Sequence, residues 1–141
     1  MKVSEVMARD CESVAAEATI EGAAQIMAEL DVAVLPVQER DELVGILTER
    51  DITVRVVAAG LVPAETKVAE VMSSDVVTCR PDDDIAQAET ELQARKIQQL
   101  PVVSEQGRLV GLVTRSAIRR AGDRPAEAPV PPRTPAESES R

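Results

Sequence analysis

The sequence predicts an α/β (α+β) fold in which two tandem motifs, each a small sheet with flanking helices, pack about a pseudo-twofold axis. The main observation is an internal repeat, because the segment Val3–Met7 returns as Val68–Met72, 65 positions later. Leu35-Pro36-Val37 returns as Leu100-Pro101-Val102 at the same offset. Each copy of such a unit would leave one apolar sheet face open, and packing the two copies together buries both faces.

The first unit comprises residues 1–60 and begins with a short helix at about residues 3–7, which leads to an extended piece ending near Val14. A longer helix is predicted next, because apolar residues recur at intervals of three and four positions. The residues on its predicted buried face are Ile20, Ala23, Ala24, Met27 and Leu30.

A hairpin and a final helix complete the first unit. Strands are predicted at Ala33–Val37 and Leu43–Leu47, because both runs are apolar and a polar turn from Gln38 to Glu42 separates them. The last helix is predicted from about Glu49 to Ala59. Gly60 should end it, because glycine readily adopts the left-handed conformation found at helix C-termini.

The second unit, residues 67–122, repeats this order after a linker at residues 61–66. Its predicted elements are a helix that opens at Pro81–Asp84 and carries Ile85, Ala88 and Leu92, strands at 99–104 and 108–113, and a closing helix at about 115–121. The repeat offset rises to 66 at the second strand of the hairpin, so the second hairpin should be one residue longer at its tip. Residues 123–141 are rich in proline and poor in large apolar residues, which predicts a disordered tail.

Composition narrows the range of functions. The chain carries a formal net charge of −9 and contains no histidine and no Phe, Tyr or Trp. We expect neither DNA nor a membrane as a partner, because an acidic chain without a basic patch is repelled by both. A bound purine would have to rest on aliphatic side chains and backbone groups, since no ring is available for stacking. No segment has the apolar length of a membrane helix or the pattern of a signal peptide, which predicts a cytoplasmic protein.

The two cysteines, Cys11 and Cys79, predict neither a disulfide framework nor a metal site, because the chain has no Cys-x-x-Cys pattern and no histidine. We interpret them as small apolar residues, with a redox role as the alternative.

The repeated motifs resemble those of CBS-domain pairs, also called Bateman modules. The resemblance covers residues 1–121 and rests on the two lead segments, the paired Leu-Pro-Val strands, and the pattern Gly-hydrophobic-x-Thr-x-x-Asp at Gly45–Asp51. Residues 45–61 are especially similar to free-standing actinobacterial CBS proteins. The resemblance implies a regulatory homodimer that binds an adenosine-containing small molecule such as AMP, ADP, ATP, NAD or S-adenosylmethionine. It further implies a separate effector protein, still unknown, and no required cofactor.

The resemblance assigns nucleotide-binding roles to the first Thr-x-x-Asp turn. Thr48 would contact a phosphate and Asp51 the ribose hydroxyls. Both roles suit the chemistry, because a helix N-terminus favours an anion and a carboxylate accepts two hydrogen bonds. Arg50 would add a charge-assisted contact to the phosphate. The other expected contacts are Ile46 and, against the adenine from the opposite motif, Ile97, Gln98 and Gln99.

The second copy of the turn predicts a degenerate site, because Ala117 stands where the aspartate would recur. The residues of this second candidate site are Thr114 and Arg115, framed by Val32, Ala33 and Val34. A phosphate could still bind there, but a ribose would lack its usual acceptor. We therefore expect at most one good nucleotide site per chain.

The Thr48 and Asp51 pair has a second interpretation that involves no ligand. Thr-x-x-Asp at a helix start is also a capping box, in which each side chain satisfies a backbone N–H of the other. The alternative function is accordingly a ligand-free dimerisation or protein-interaction module with no nucleotide bound. We do not expect an enzyme, because no serine or cysteine lies beside an evident base.

Overall fold

The computed structural model describes residues 1–9 and 11–122, so the tail predicted at 123–141 lies outside the described residues. The strands are β1 (Val14–Ala15), β2 (Val34–Glu39), β3 (Glu42–Thr48), β4 (Gln99–Val103) and β5 (Leu109–Thr114). The α-helices are α1 (Ile20–Leu30), α2 (Glu49–Ile52), α3 (Val68–Val71), α4 (Ile85–Arg95) and α5 (Arg115–Gly122), and 3-10 turns lie at Val3–Glu5 and Pro63–Glu65. Within the described residues, no helix combines the length and apolar character needed to cross a membrane.

The strands form two small sheets with the same internal arrangement. β1 runs parallel to β2 and β2 runs antiparallel to β3, whereas β4 and β5 form an antiparallel pair. Cys79 makes a parallel bridge to Val102, and this bridge is the second copy of the Val14–Val37 pairing in the first sheet. The predicted repeat is therefore a repeat of structure.

The two hairpins differ at their tips as the change of offset predicts. The first closes with the two-residue turn Arg40-Asp41, whose φ angles of 53° and 67° are those of a type I′ turn. The second has one more residue, and Gly107 takes a φ of 81°, with its N–H donating to the Ser104 carbonyl at 2.9 Å. Glycine suits this position because it lacks the Cβ that makes a positive φ costly.

The predicted pseudo-twofold axis is confirmed where the two hairpins meet. Glu42 and Arg108 occupy equivalent positions of the repeat and form a bridge with each other. The N–H of Leu43 donates to the Gly107 carbonyl at 3.1 Å beside this bridge. Only a residue close to a twofold axis can contact its own equivalent, so the axis passes near this pair.

The short lead segments cross between the two halves of the molecule. Val3 is fully buried in the core of the second motif, where it packs with Leu100 and Ile118. Val68 and Val71 are buried in the core of the first motif. Along the chain each lead begins its own motif, but in space it completes the core of the other, so the two cores depend on each other.

Two sequence predictions about helices need correction. Leu30, which the periodicity assigns to the buried face of α1, is 44% exposed. It is the last residue of the helix, and the chain turns away at Asp31, whose φ is 55°. The helix predicted at Glu49–Ala59 is α-helical only to Ile52, and Thr53–Val57 continue it with wider i→i+5 turns.

Candidate functional site

The first Thr-x-x-Asp turn joins β3 to α2. Thr48 ends the strand with extended backbone angles, and its Oγ1 accepts a hydrogen bond from the Asp51 N–H at 3.0 Å. The Asp51 Oδ2 accepts in return from the Thr48 N–H, also at 3.0 Å. Both capping contacts are therefore formed, which satisfies two backbone donors that a helix start leaves open.

The Asp51 carboxylate makes contacts beyond the capping box. Its residue is 7% exposed, and the Ser73 hydroxyl lies 3.2 Å from Oδ1 and 3.4 Å from Oδ2. The Arg55 Nη1 lies 3.8 Å from Oδ1 and donates to the carbonyls of Val71 at 2.9 Å and Met72 at 3.2 Å. Asp51 is thus a buried carboxylate that faces a hydroxyl and a cation as well as its own helix.

The position of Ser73 follows from a close approach of the chain to β3. Ser73 and Ile46 exchange two backbone hydrogen bonds, of 2.9 and 2.8 Å. The approach requires a glycine at position 45, because a Cβ there would lie 2.8 Å from the Ser73 carbonyl oxygen and 2.8 Å from the Met72 sulfur. The segment that follows α3 therefore lies directly beside the first Thr-x-x-Asp turn.

The second turn has the same backbone without the carboxylate. Thr114 Oγ1 accepts from the Ala117 N–H at 3.1 Å and lies 3.2 Å from the Ser116 hydroxyl. Ala8 forms the bridge to Leu112 that Ser73 forms to Ile46. The threonine cap is common to both copies, whereas the buried acid is not.

The remaining predicted residues lie near the two turns in a pattern set by the hairpins. The Ala33 carbonyl accepts from the Glu49 N–H at 2.9 Å, and the Gln98 carbonyl accepts from the Arg115 N–H at 2.8 Å. Val34 pairs with Thr48, and in the second hairpin Gln99 pairs with Thr114. These contacts join each strand to the turn of its own motif. The expected contact of an adenine with Ile97, Gln98 and Gln99 across the motifs stays a prediction.

Side-chain exposure divides these residues further. Arg50 and Gln98 are exposed, whereas Ile46 and Ile97 are half-buried. In the second turn Arg115 is half-buried, and its Nε is buried without a hydrogen-bond partner. An unpaired buried donor is costly, so an anion at the second turn would find an unused donor in Arg115.

Sequence reasoning missed Ser73 and Arg55. Neither belongs to the Thr-x-x-Asp pattern, and Ser73 lies outside the first unit. Comparison of the two repeat copies would have found them, because the positions equivalent to Ser73 and Arg55 are Ala8 and Ala121. The second turn therefore lacks both of these polar side chains as well as the aspartate.

The CBS-domain family model matches the chain twice, at residues 3–58 and 68–124. Hypoxic response protein 1 of Mycobacterium tuberculosis is 35% identical over 103 residues, which are 72% of this chain and 71% of that protein. Inosine-5'-monophosphate dehydrogenase of Thermoplasma acidophilum is 37% identical over 113 residues, or 80% of this chain. The chain spans less than half the length of several relatives, 22% in the case of this dehydrogenase and 44% in that of a Methanopyrus kandleri protein.

Solved structures share the same architecture. A crystal structure of Hypoxic Response Protein I with two coordinated zinc ions superposes with a TM-score of 0.78 at 31% identity, and it covers 86% of this chain and 98% of that one. The CBS-domain pair of protein MJ0100, in complex with 5'-methylthioadenosine and S-adenosyl-L-methionine, gives 0.74 at 26% identity, with 86% and 95% covered. This chain has no histidine, and its described residues contain no group of three or more His, Cys, Asp or Glu side chains that could hold a metal ion.

Proposed function

Because the chain belongs to the CBS-domain family, we propose that it is a regulatory module that binds one adenosine-containing ligand at the first Thr-x-x-Asp turn. The candidates are AMP, ADP, ATP, NAD and S-adenosylmethionine, and the bound state would act on a separate partner protein. The bound 5'-methylthioadenosine and S-adenosyl-L-methionine of the related MJ0100 pair support this ligand class.

The observation that carries the proposal is the difference between the two turns. Both copies keep the threonine cap, but only the first copy has a buried carboxylate at its fourth position. A carboxylate has about four acceptor sites, and the Thr48 N–H and the Ser73 hydroxyl use two of those of Asp51. A vicinal diol would supply two hydroxyl donors for the other two.

The charges at the turn agree with a nucleotide. The N-terminus of α2 and the Arg50 side chain place positive charge near Thr48, where a phosphate would lie. The Asp51 carboxylate lies next to Thr48, with its Oδ2 3.0 Å from the Thr48 N–H, and would accept hydrogen bonds from the ribose hydroxyls. The phosphate and the ribose of a nucleotide would therefore bind close together at this turn.

Isothermal titration calorimetry of the whole chain with the five candidate ligands tests the proposal. We expect binding near one site per chain, and Asp51→Ala should weaken it about tenfold to a hundredfold, since a hydrogen bond to a charged group contributes about 1.5–3 kcal/mol. Asp82→Ala is the matched control, because Asp82 is an exposed carboxylate whose side chain is 89% accessible. Unchanged affinity in a folded Asp51→Ala protein would refute the assignment.

A second candidate is a ligand-free interaction module, and the contacts of Asp51 are the observation that favours it. The carboxylate already accepts from the Thr48 N–H and the Ser73 hydroxyl and faces Arg55, so its burial can be explained without any ligand. In that case no candidate nucleotide would bind, and the purified protein would form a defined complex with a partner protein.

The homodimer, the cytoplasmic location and the absence of catalysis, of DNA and of membrane partners stay predictions.

A further inference from the structure

We propose that Ser73 and Arg55 are positioning residues for Asp51, and that the three side chains form a clasp that couples the first Thr-x-x-Asp turn to the segment Val71–Ser73. We call this group the Asp51 clasp. Its role in holding the carboxylate for a diol rests on the proposed function. Its role in coupling the two segments does not require a ligand.

The geometry fixes the carboxylate from three directions. The Thr48 N–H donates to Oδ2, the Ser73 hydroxyl lies within 3.4 Å of both oxygens, and the Arg55 Nη1 approaches Oδ1 at 3.8 Å. A carboxylate that is oriented before binding loses less side-chain freedom when a ligand arrives. Ser73 should therefore strengthen the interaction with the ribose hydroxyls and leave the phosphate and the adenine unaffected.

The same contacts tie a segment of the second motif to the first. Ser73 is bound to β3 through the backbone of Ile46 and to α2 through the side chain of Asp51. Arg55 holds the two preceding residues by their carbonyls. A ligand that moves the Asp51 carboxylate would thus weaken the contact with Ser73 and the two contacts of Arg55 with the carbonyls of Val71 and Met72.

The second copy supplies a natural comparison for the clasp. Its backbone bridge is the same, with hydrogen bonds of 2.8 and 2.9 Å between Ala8 and Leu112. The chain also passes equally close to the glycine of this copy, since a Cβ on Gly111 would lie 2.8 Å from the Met7 sulfur. The three side chains of the clasp are replaced together by alanines at positions 117, 121 and 8. The fold therefore does not require the clasp, and its members occur as a unit.

The ligand arm of the test compares AMP with its 2',3'-dideoxy analogue by calorimetry. Ser73→Ala should weaken AMP binding about threefold to tenfold, as expected from the cost of ordering one additional side chain on binding, and leave binding of the analogue unchanged. Ser73→Thr keeps the hydroxyl and should restore most of the AMP affinity. Equal weakening of both ligands, or no weakening of either, would overturn the positioning role.

The ligand-free arm uses native-state hydrogen exchange. The amides of Ile46 and Ser73, which bridge the two segments, should exchange about tenfold faster in Asp51→Ala and in Ser73→Ala. The double variant should be no faster than either single variant, because the two residues act as one unit. The equivalent amides of Ala8 and Leu112 are the internal control and should keep their rates.

The outcomes separate the two proposals. If the wild-type protein binds none of the five candidate ligands, the proposed function is refuted before any variant is compared. The role of the clasp in binding a diol is then refuted as well. The exchange measurement then decides the coupling alone. The coupling role of the clasp is overturned if the exchange rates of Ile46 and Ser73 are unchanged in the variants. It is also overturned if the effects of the two substitutions multiply in the double variant, or if the control amides exchange faster by the same factor.

Discussion

Replacing Gly45 by alanine should destabilise the protein, although alanine is small and Gly45 does not have a positive φ. An added Cβ would lie 2.8 Å from the Ser73 carbonyl oxygen and 2.8 Å from the Met72 sulfur. The methionine side chain can move, but the carbonyl cannot move freely, since it accepts from the Ile46 N–H at 2.9 Å. The conflict is therefore with the backbone bridge itself.

The size of the effect follows from this contact. Carbon and oxygen atoms normally approach to about 3.3 Å, so the segment at Ser73 would have to retreat by about 0.5 Å. Overpacking of this kind costs about 1–3 kcal/mol, and the reduced freedom of the unfolded chain returns about 0.4–1 kcal/mol. With central values of about 2 and about 0.7 kcal/mol for these two effects, we expect a net loss of about 1.3 kcal/mol in the free energy of unfolding.

Urea unfolding followed by far-ultraviolet circular dichroism measures this loss, because the chain has no Trp, Tyr or Phe to report by fluorescence. Gly22→Ala is the matched control. Gly22 lies inside α1, the nearest atom to its added Cβ is the Thr19 hydroxyl at 3.4 Å, and the exchange should stabilise the helix by about 0.5–1 kcal/mol. The reasoning is refuted if Gly45→Ala is as stable as the wild type while Gly22→Ala behaves as expected.

Two further predictions concern the cores. Val3→Ala should lower the free energy of unfolding by about 1–3 kcal/mol in urea unfolding, because Val3 is fully buried in the second core; an unchanged midpoint would show that the lead does not complete this core. Burial, and then the nearby Asp83 carboxylate, raise the pKa of Cys79 from 9.0 to about 12. The contribution of this thiol to stability is therefore fully present below pH 9 and is lost as the pH rises towards 12. Cys79→Val, which installs the residue found at the equivalent Val14, should reduce the loss of stability between about pH 9 and pH 11; an equal loss in both proteins would contradict it.

The helices and strands of the fold could be predicted from the sequence because the motif occurs twice in the chain. Both hairpins, the long helix of each unit and the extra residue at the second tip were predicted correctly, since these features depend on local spacing and turn residues. The crossing of the lead segments was not predictable, because the repeat shows that Val3 and Val68 are equivalent but does not show which core each of them joins. The i→i+5 turns at Thr53–Val57 were not predictable either, because the spacing of apolar residues does not distinguish them from an α-helix.

The candidate site was predictable only in part. The pattern at Gly45–Asp51 located the turn and its two principal side chains, and the absence of the second aspartate was readable directly. Ser73 could not be found from the motif, because it reaches Asp51 through a bridge between residues 27 positions apart, Ile46 and Ser73. Only a position-by-position comparison of the two copies carries that information.

The crossed leads also determine the order in which the molecule can be completed during synthesis. The residues that form the first core end at Met72, whereas the core that receives Val3 includes Ile118. At about 5–20 residues per second, Val3 is made roughly 6–23 s before Ile118. Val3 is therefore made long before the core that buries it is complete, and blocking Val3–Glu5 would leave the first core able to form while the second stayed incomplete.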